Sequence, residues 1–223
     1  MHPLIEKALN EKRHLLEPEA KTLLREYNLP VPEFQMCSTP EEAAAAAERL
    51  TYPVVMKVVS PDILHKTDIG GVKVGLQSRE DITTAFKEIK EAAQSHGTFA
   101  GVIVYHMQEQ GTEIIIGVTY DTQFEHALMF GLGGIFVEVL KDISFRLIPI
   151  TEYDAREMVC EIKGYPVLTG VRGQPPRDID AVVDALLKVS LLVEENPQIR
   201  ELDLNPVFVY DKGASIIDAR IVL

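Results

Sequence analysis

Cysteine is almost missing from this chain: Cys37 and Cys160 are the only two in 223 residues, and they lack the paired spacing of a metal site. Positive charge is scarce as well, with 22 Lys and Arg against 34 Asp and Glu, a formal charge of -12 and no basic patch to overrule it. That field repels phosphate backbones and anionic lipid, which excludes a nucleic-acid or membrane-surface binder. Long apolar runs are absent too. The longest stretch without an ionisable side chain, "ALMFGLGGIFV" at 127–137, falls short of the roughly 20 residues a spanning helix needs. The opening "MHPLIEKALNEKRHLL" carries charges where a secretory signal needs an apolar core, so a reducing cytoplasm is the expected compartment. There is no internal repeat, no Pro/Gly/Ser-rich linker and no "GxGxxG" dinucleotide entry.

What is present is an ordinary globular balance, 46% hydrophobic and 25% charged, so the chain should fold. "PEAKTLLREY" opens with a helix-compatible proline and places Ala20, Leu23, Leu24 and Tyr27 on one face; "TPEEAAAAAERL" repeats that logic with Thr39 as cap. "SREDITTAFKEIKEAAQSHG", "TEYDAREMVCEI" and "DIDAVVDALLKVSLLVEEN" read as further helices. "YPVVMKVVS", "GVIVYHM", "TEIIIGVTYD", "HALMFGLGG", "IRELDLNPVFVY" and "ASIIDARIVL" read as strands, the last two forming a hairpin turned at "DKG". Strands arrive in adjacent pairs between helices, which predicts an α+β fold of antiparallel sheets backed by helices. Two lobes are expected, residues 1–100 and 101–223.

The stretch "KVVSPDILHKTDIGGVKVG" joins two strand-like runs by a loop too long for a tight hairpin, and such loops are functional or disordered. Strand alternation puts Val54, Met56 and Val58 on one face and Val55, Lys57 and Val59 on the other. Lys57 reads either as a lysine snorkelling to water or as a charge on an apolar wall that grips phosphate. Gly70 and Gly71 either form a plain turn or offer their amides to a phosphate. His65, among polar neighbours, fits a nucleophilic imidazole that carries a phosphoryl group.

Near the end, Glu201, Asp203 and Asn205 of "ELDLNP" project from one side of a strand, with Asp218 on its hairpin partner. Hard oxygens on adjacent strands suit magnesium beside nucleotide phosphates; the alternative is a hydrated acidic face. Arg146 in "KDISFRLIP" reads equally as a contributor of positive field at a phosphate site or as a surface ion pair with Asp142.

Taken together, "YPVVMKVVSPDILHKTDIGGVKVGL", "GTEIIIGVTYD", "FGLGGIFVEVLKDISFRLIP" and "ELDLNPVFVYDKGASIIDARI" resemble the ATP-grasp beta subunit of the ADP-forming (NDP-forming) acyl-CoA synthetases, acetate–CoA ligase in particular, over nearly the whole chain. A more distant likeness is to the beta subunit of succinyl-CoA synthetase. The resemblance implies an ATP-grasp fold that clasps ADP or ATP between two α+β lobes, with Mg2+. It implies that Lys57 contacts nucleotide phosphates, that Glu113 of "TEIIIG" lines the nucleotide pocket, and that Asn205 and Asp218 hold magnesium. One residue fewer separates those two than in succinyl-CoA synthetase, a difference placed in the "DKG" turn. Asp203 is open between a further metal ligand and the partner that orients His65. The resemblance also implies that His65 relays a phosphoryl group, and that an alpha subunit supplies the CoA-binding domain and a phosphohistidine in an α2β2 assembly. The expected activity is reversible transfer from phosphohistidine to ADP, as acyl-CoA, phosphate and ADP become free acid, CoA and ATP. The rival expectations are a stand-alone ATP-grasp carboxylate–amine ligase and a nucleotide-binding regulatory subunit without chemistry.

Overall fold

In a computed structural model of the chain, the described residues are 1–63, 65–134, 141–171, 173 and 175–223; residues 135–140 of the "FGLGGIFVEVLKDISFRLIP" motif lie outside them. Two helices come first, α1 (Pro3–Asn10) and α2 (Glu17–Glu26). Then follow β1 (Phe34–Cys37), α3 (Pro40–Leu50), β2 (Val54–Val59), β3 (Val72–Leu76), α4 (Arg79–Gln94) and β4 (Gly101–His106). The remainder holds β5 (Thr112–Asp121), β6 (Glu125–Leu132), β7 (Ile143–Leu147), α5 (Glu152–Glu161), α6 (Tyr165–Thr169), α7 (Ile179–Glu195), β8 (Glu201–Val209), β9 (Ala214–Ile216) and β10 (Arg220–Val222).

The chain divides into two units, Pro32–Glu109 and Met1–Val31 with Gln110–Leu223. The smaller is a four-stranded antiparallel sheet in the order β1-β4-β2-β3. Helices α3 and α4 cover one face, each capped by a hydroxyl: Thr39, as expected, accepts from the Glu42 N–H, and Ser78 accepts from the Asp81 N–H. The alanines of α3 pack with Ile82, Phe86 and Ile89 of α4 against Val54, Met56 and Val58. Small side chains let α3 lie close to the strands, and the alternation read from "VVMKVV" is the one observed.

The larger unit is an antiparallel sheet in the order β10-β8-β5-β6-β7, with β9 also paired to β8. Its covered face packs Ile114, Ile116, Leu128, Phe130, Leu202 and Leu204 against α7 and against Ile5, Ala8, Ala20, Leu23 and Leu24 of the first two helices. The division expected near residue 100 is therefore displaced. Residues 1–31 bury their apolar face in the core of the later strands, a pairing that their place at the front of the chain conceals. Two strands that the sequence pattern does not announce are β1 and β7, each short and interrupted by polar residues.

Leu24 is fully buried in this shared core. Leu24→Ala should lower unfolding free energy by about 2–5 kcal/mol in urea denaturation followed by circular dichroism. An unchanged midpoint would mean that α2 is not seated there.

Candidate functional site

In the smaller unit Lys57 lies on the sheet face turned away from α3 and α4, with Ile103 opposite it on β4. It is 5% exposed, so it does not snorkel to water, and its ammonium sits 5.3 Å from the ring centre of Tyr105. The aromatic face supplies part of the electrostatic compensation that a lysine needs when water is removed.

Beyond β2, Ser60 caps the loop by accepting from the N–H groups of Asp62 and Ile63. The glycine pair then closes it: the Gly70 N–H donates to Thr67 O at 3.0 Å and the Gly71 N–H to Lys66 O at 2.8 Å. Both amides are thus bonded inside the turn, so of the two readings the plain turn is the one observed and the phosphate-donor reading is not. Glycine is required for other reasons. Gly70 has φ +72°, and a Cβ on Gly71 would stand 2.7 Å from Val58 Cγ1 and 2.8 Å from Lys66 O. The turn leaves His65 exposed, and Leu64 beside it lies outside the described residues.

In the larger unit the site is built on β8. Leu202, Leu204, Val207 and Val209 enter the core, so Glu201, Asp203 and Asn205 share the opposite, open face. On β5, Ile114 faces Val207 and Ile116 faces Leu204, leaving Asn205 and Pro206 against the single Ile115. That two-against-one count is a β-bulge, which re-aims the side chain at its apex. On the other side, Val207 pairs with Ile216 and Asp203 with Arg220, while residues 217–219 belong to no strand. The expected closing strand is therefore two short ones, with Asp218 in the break between them, its carboxylate accepting from the Ala219 N–H at 2.9 Å.

Charge on this face is unevenly compensated. Arg220 bonds Glu201 at 2.8 Å, so Glu201 already has a cationic partner. Burial pushes the Asp203 carboxyl above its ordinary range; Arg220 opposes the shift, and the negative charges of Asp218 and Glu201 add to it. Asp203 also borders a depression lined by Ile115, Gly117, Met129, Phe145 and Arg220. Arg220 was not singled out in the sequence, although its two-residue spacing from Asp218 was visible there.

Glu113 stands at the start of β5, where its carbonyl accepts from the Gly133 N–H at 2.8 Å. A Cβ on Gly133 would be 3.0 Å from Glu113 Cβ, so the "FGLGG" glycine is a close-packing residue for that glutamate. Arg146 does not join the acidic face. It pairs across β6 with the core residue Leu128 and bonds Glu161 of α5 at 2.9 Å. Asp142, its expected partner, instead accepts from the backbone N–H groups of Lys163 and Gly164. Both readings of Arg146 gave way to one fact: β7 turns it toward α5.

Among the described residues no group of three or more His, Cys, Asp or Glu is arranged to hold a metal ion unaided. The open face does present hard oxygens from Asp203, Asn205 and Asp218, a set that fits magnesium, which takes one or two carboxylates and completes its shell with water and phosphate. The Asp203 carboxyl is raised first by burial and then by its acidic neighbours, and a cation beside it would favour its ionised form. No helix among the described residues is long and apolar enough to cross a membrane.

Comparison with known proteins narrows the reading. The ATP-grasp domain family model matches residues 7–223. The beta subunit of acetate–CoA ligase [ADP-forming] I from Pyrococcus furiosus is 50% identical over 99% of this chain and 96% of its own. The structure of Ca. Korarchaeum cryptofilum dinucleotide-forming acetyl-coenzyme A synthetase 1 in complex with coenzyme A, Ca-AMPCP and HgCl+ superposes with a TM-score of 0.95 at 43% identity, covering 99% of this chain and 98% of that one. Another structure of that enzyme, with coenzyme A and Mg-AMPPCP and its phosphohistidine segment pointing towards the nucleotide binding site, gives a TM-score of 0.87 at 43% identity with the same coverage. A match of this extent, on a chain whose antiparallel sheets carry the lysine hairpin and the bulged acidic strand, establishes that it belongs to the ATP-grasp domain family and, within it, to the beta subunits of ADP-forming acetate–CoA ligases.

Proposed function

We propose that this chain is the nucleotide-handling subunit of an ADP-forming acyl-CoA synthetase, moving a phosphoryl group reversibly between phosphohistidine and ADP. The observation that carries the reading is half-identity along essentially the full length of a beta subunit of that enzyme. The exposed His65, buried Lys57 and the acidic face of β8 give it chemical content.

In this reading an alpha subunit carries the CoA-binding domain and delivers a phosphohistidine, and His65 receives its phosphoryl group. The neutral imidazole nitrogen attacks phosphorus, the N–P bond of the donor breaks, and an N–P bond forms on His65; attack by a terminal phosphate oxygen of ADP then releases the imidazole and makes ATP. Lys57 presents a fixed positive charge to phosphate oxygens from an apolar wall, where it acts more strongly than in water. Glu113 lines the nucleotide pocket. Asn205 and Asp218 would hold magnesium, which would supply charge neutralisation at the phosphates. Asp203 stabilises whichever cation stands before it, metal or imidazolium. Glu201, already engaged by Arg220, is left out of the ligand set, and Arg146 out of the phosphate field.

The test is ATP synthesis from acyl-CoA, phosphate and ADP in the complex with the alpha subunit. His65→Ala should reduce it about a hundredfold or more, and should abolish the base-stable, acid-labile label that the beta chain acquires from radiolabelled ATP and magnesium. A variant that keeps both its rate and its label removes His65 from the relay.

The raised Asp203 carboxyl fixes the sign of a pH effect. The folded chain holds this proton more tightly than the unfolded one, so the ionised form opposes folding, and stability falls as pH rises past the ordinary carboxyl value of 3.8 toward the higher folded one. Asp203→Asn should therefore raise the Tm of the ligand-free chain at pH 7, with the gain fading as pH falls toward that value. Scanning calorimetry at several pH values, with and without Mg2+, measures it. A Tm gain that does not depend on pH would assign the effect to packing instead.

A further inference from the structure

Lys21 is 1% exposed although α2 begins close to the front of the chain, and Glu17 one turn earlier pairs with it at 3.1 Å, its side chain only 2% exposed. An ion pair taken out of water gains little for stability over an apolar pair of similar volume, so its burial calls for another use. The lysine has one. Its ammonium donates to Ile217 O at 3.0 Å, across 196 positions of sequence, and Ile217 immediately precedes Asp218. The neighbouring bonds converge on the same break between β9 and β10: the Ile216 N–H donates to Pro30 O at 2.9 Å, and the Ile217 N–H to Pro206 O at 3.0 Å. Residue 217 is thus gripped at its carbonyl by α2 and at its amide by the residue after Asn205.

We infer that the Lys21–Glu17 pair is a positioning device for the cation site, with Lys21 anchoring the 217–219 break so that Asp218 is held in register with Asn205 on the bulge of β8. Glu17 holds the Lys21 side chain aimed at Ile217; neither residue touches the ligand. Nothing in α2 alone reveals the role, because Lys21 looks like an ordinary solvated helix lysine until the fold brings Ile217 to it. This inference rests on the assignment of Asp218 to magnesium made above, and the experiment is arranged to separate the two.

The test uses the full chain and measures Mn2+ binding by electron paramagnetic resonance at fixed ADP, alongside ADP binding without metal and Tm. Three variants are compared. Asp218→Ala tests the metal site itself. Glu17→Gln with Lys21→Met removes the anchor with no buried charge left behind, and Glu17→Met with Lys21→Met does the same with an apolar pair should the first not fold. The expected result is a fall of about tenfold in Mn2+ affinity for the anchor variants, with metal-free ADP binding unchanged and Tm within a few degrees of the parent. Folded anchor variants that bind Mn2+ as the parent does, while Asp218→Ala does not, overturn the positioning role alone. Unchanged binding in Asp218→Ala overturns the metal assignment and the positioning role with it. Loss of metal-free ADP binding together with Mn2+ binding in the anchor variants also overturns it, since that pattern reports general disorder of the unit.

Discussion

Everything in the larger unit that bears on chemistry depends on β8 being paired along both edges. A strand held by β5 on one side and by β9 and β10 on the other cannot slip by one residue without exchanging Leu202 and Leu204 for Glu201 and Asp203 in the core. Pairing therefore fixes the acidic face. The two departures from regular pairing, the bulge at Asn205–Pro206 and the break at 217–219, occur at the candidate ligands. A flat ladder would keep alternate side chains in a line; interruption lets an asparagine and an aspartate from different strands be aimed independently.

Charge is distributed on the same logic. In an acidic chain the useful cations are few and each is held by something specific. Lys57 has an aromatic face beside it, Arg220 is drawn to Glu201, and Lys21 is sealed against Glu17 and a backbone carbonyl. Arg146, which looked available in the sequence, is taken by Glu161. Asp203 keeps an elevated carboxyl because burial and like charges outweigh one arginine. Such an unequal balance suits a site that completes itself only when a cation arrives.

Strand character, helix caps and the alternation that sets Lys57 apart from Val54, Met56 and Val58 were legible because they depend on neighbours within a few residues. The shared face of Glu201, Asp203 and Asn205 was legible for the same reason. The glycine pair left two readings open, because in the sequence amides available to a phosphate and amides bonded to Thr67 and Lys66 look alike. Arg146 misled because β7 is short and only its pairing with β6 tells which way each side chain points.

The sequence by itself determined the α+β class, the acidic character, and the residue types gathered on the lysine hairpin and the acidic strand, all properties of composition and short-range periodicity. Tertiary structure alone decided that residues 1–31 join the later strands, that Glu201 is neutralised by Arg220, and that Lys21 reaches the residue before Asp218. Those outcomes turn on cross-strand register and on which core accepts a helix face. They are settled by burying apolar surface between segments far apart in the chain, and no local pattern encodes which distant segment will be the partner.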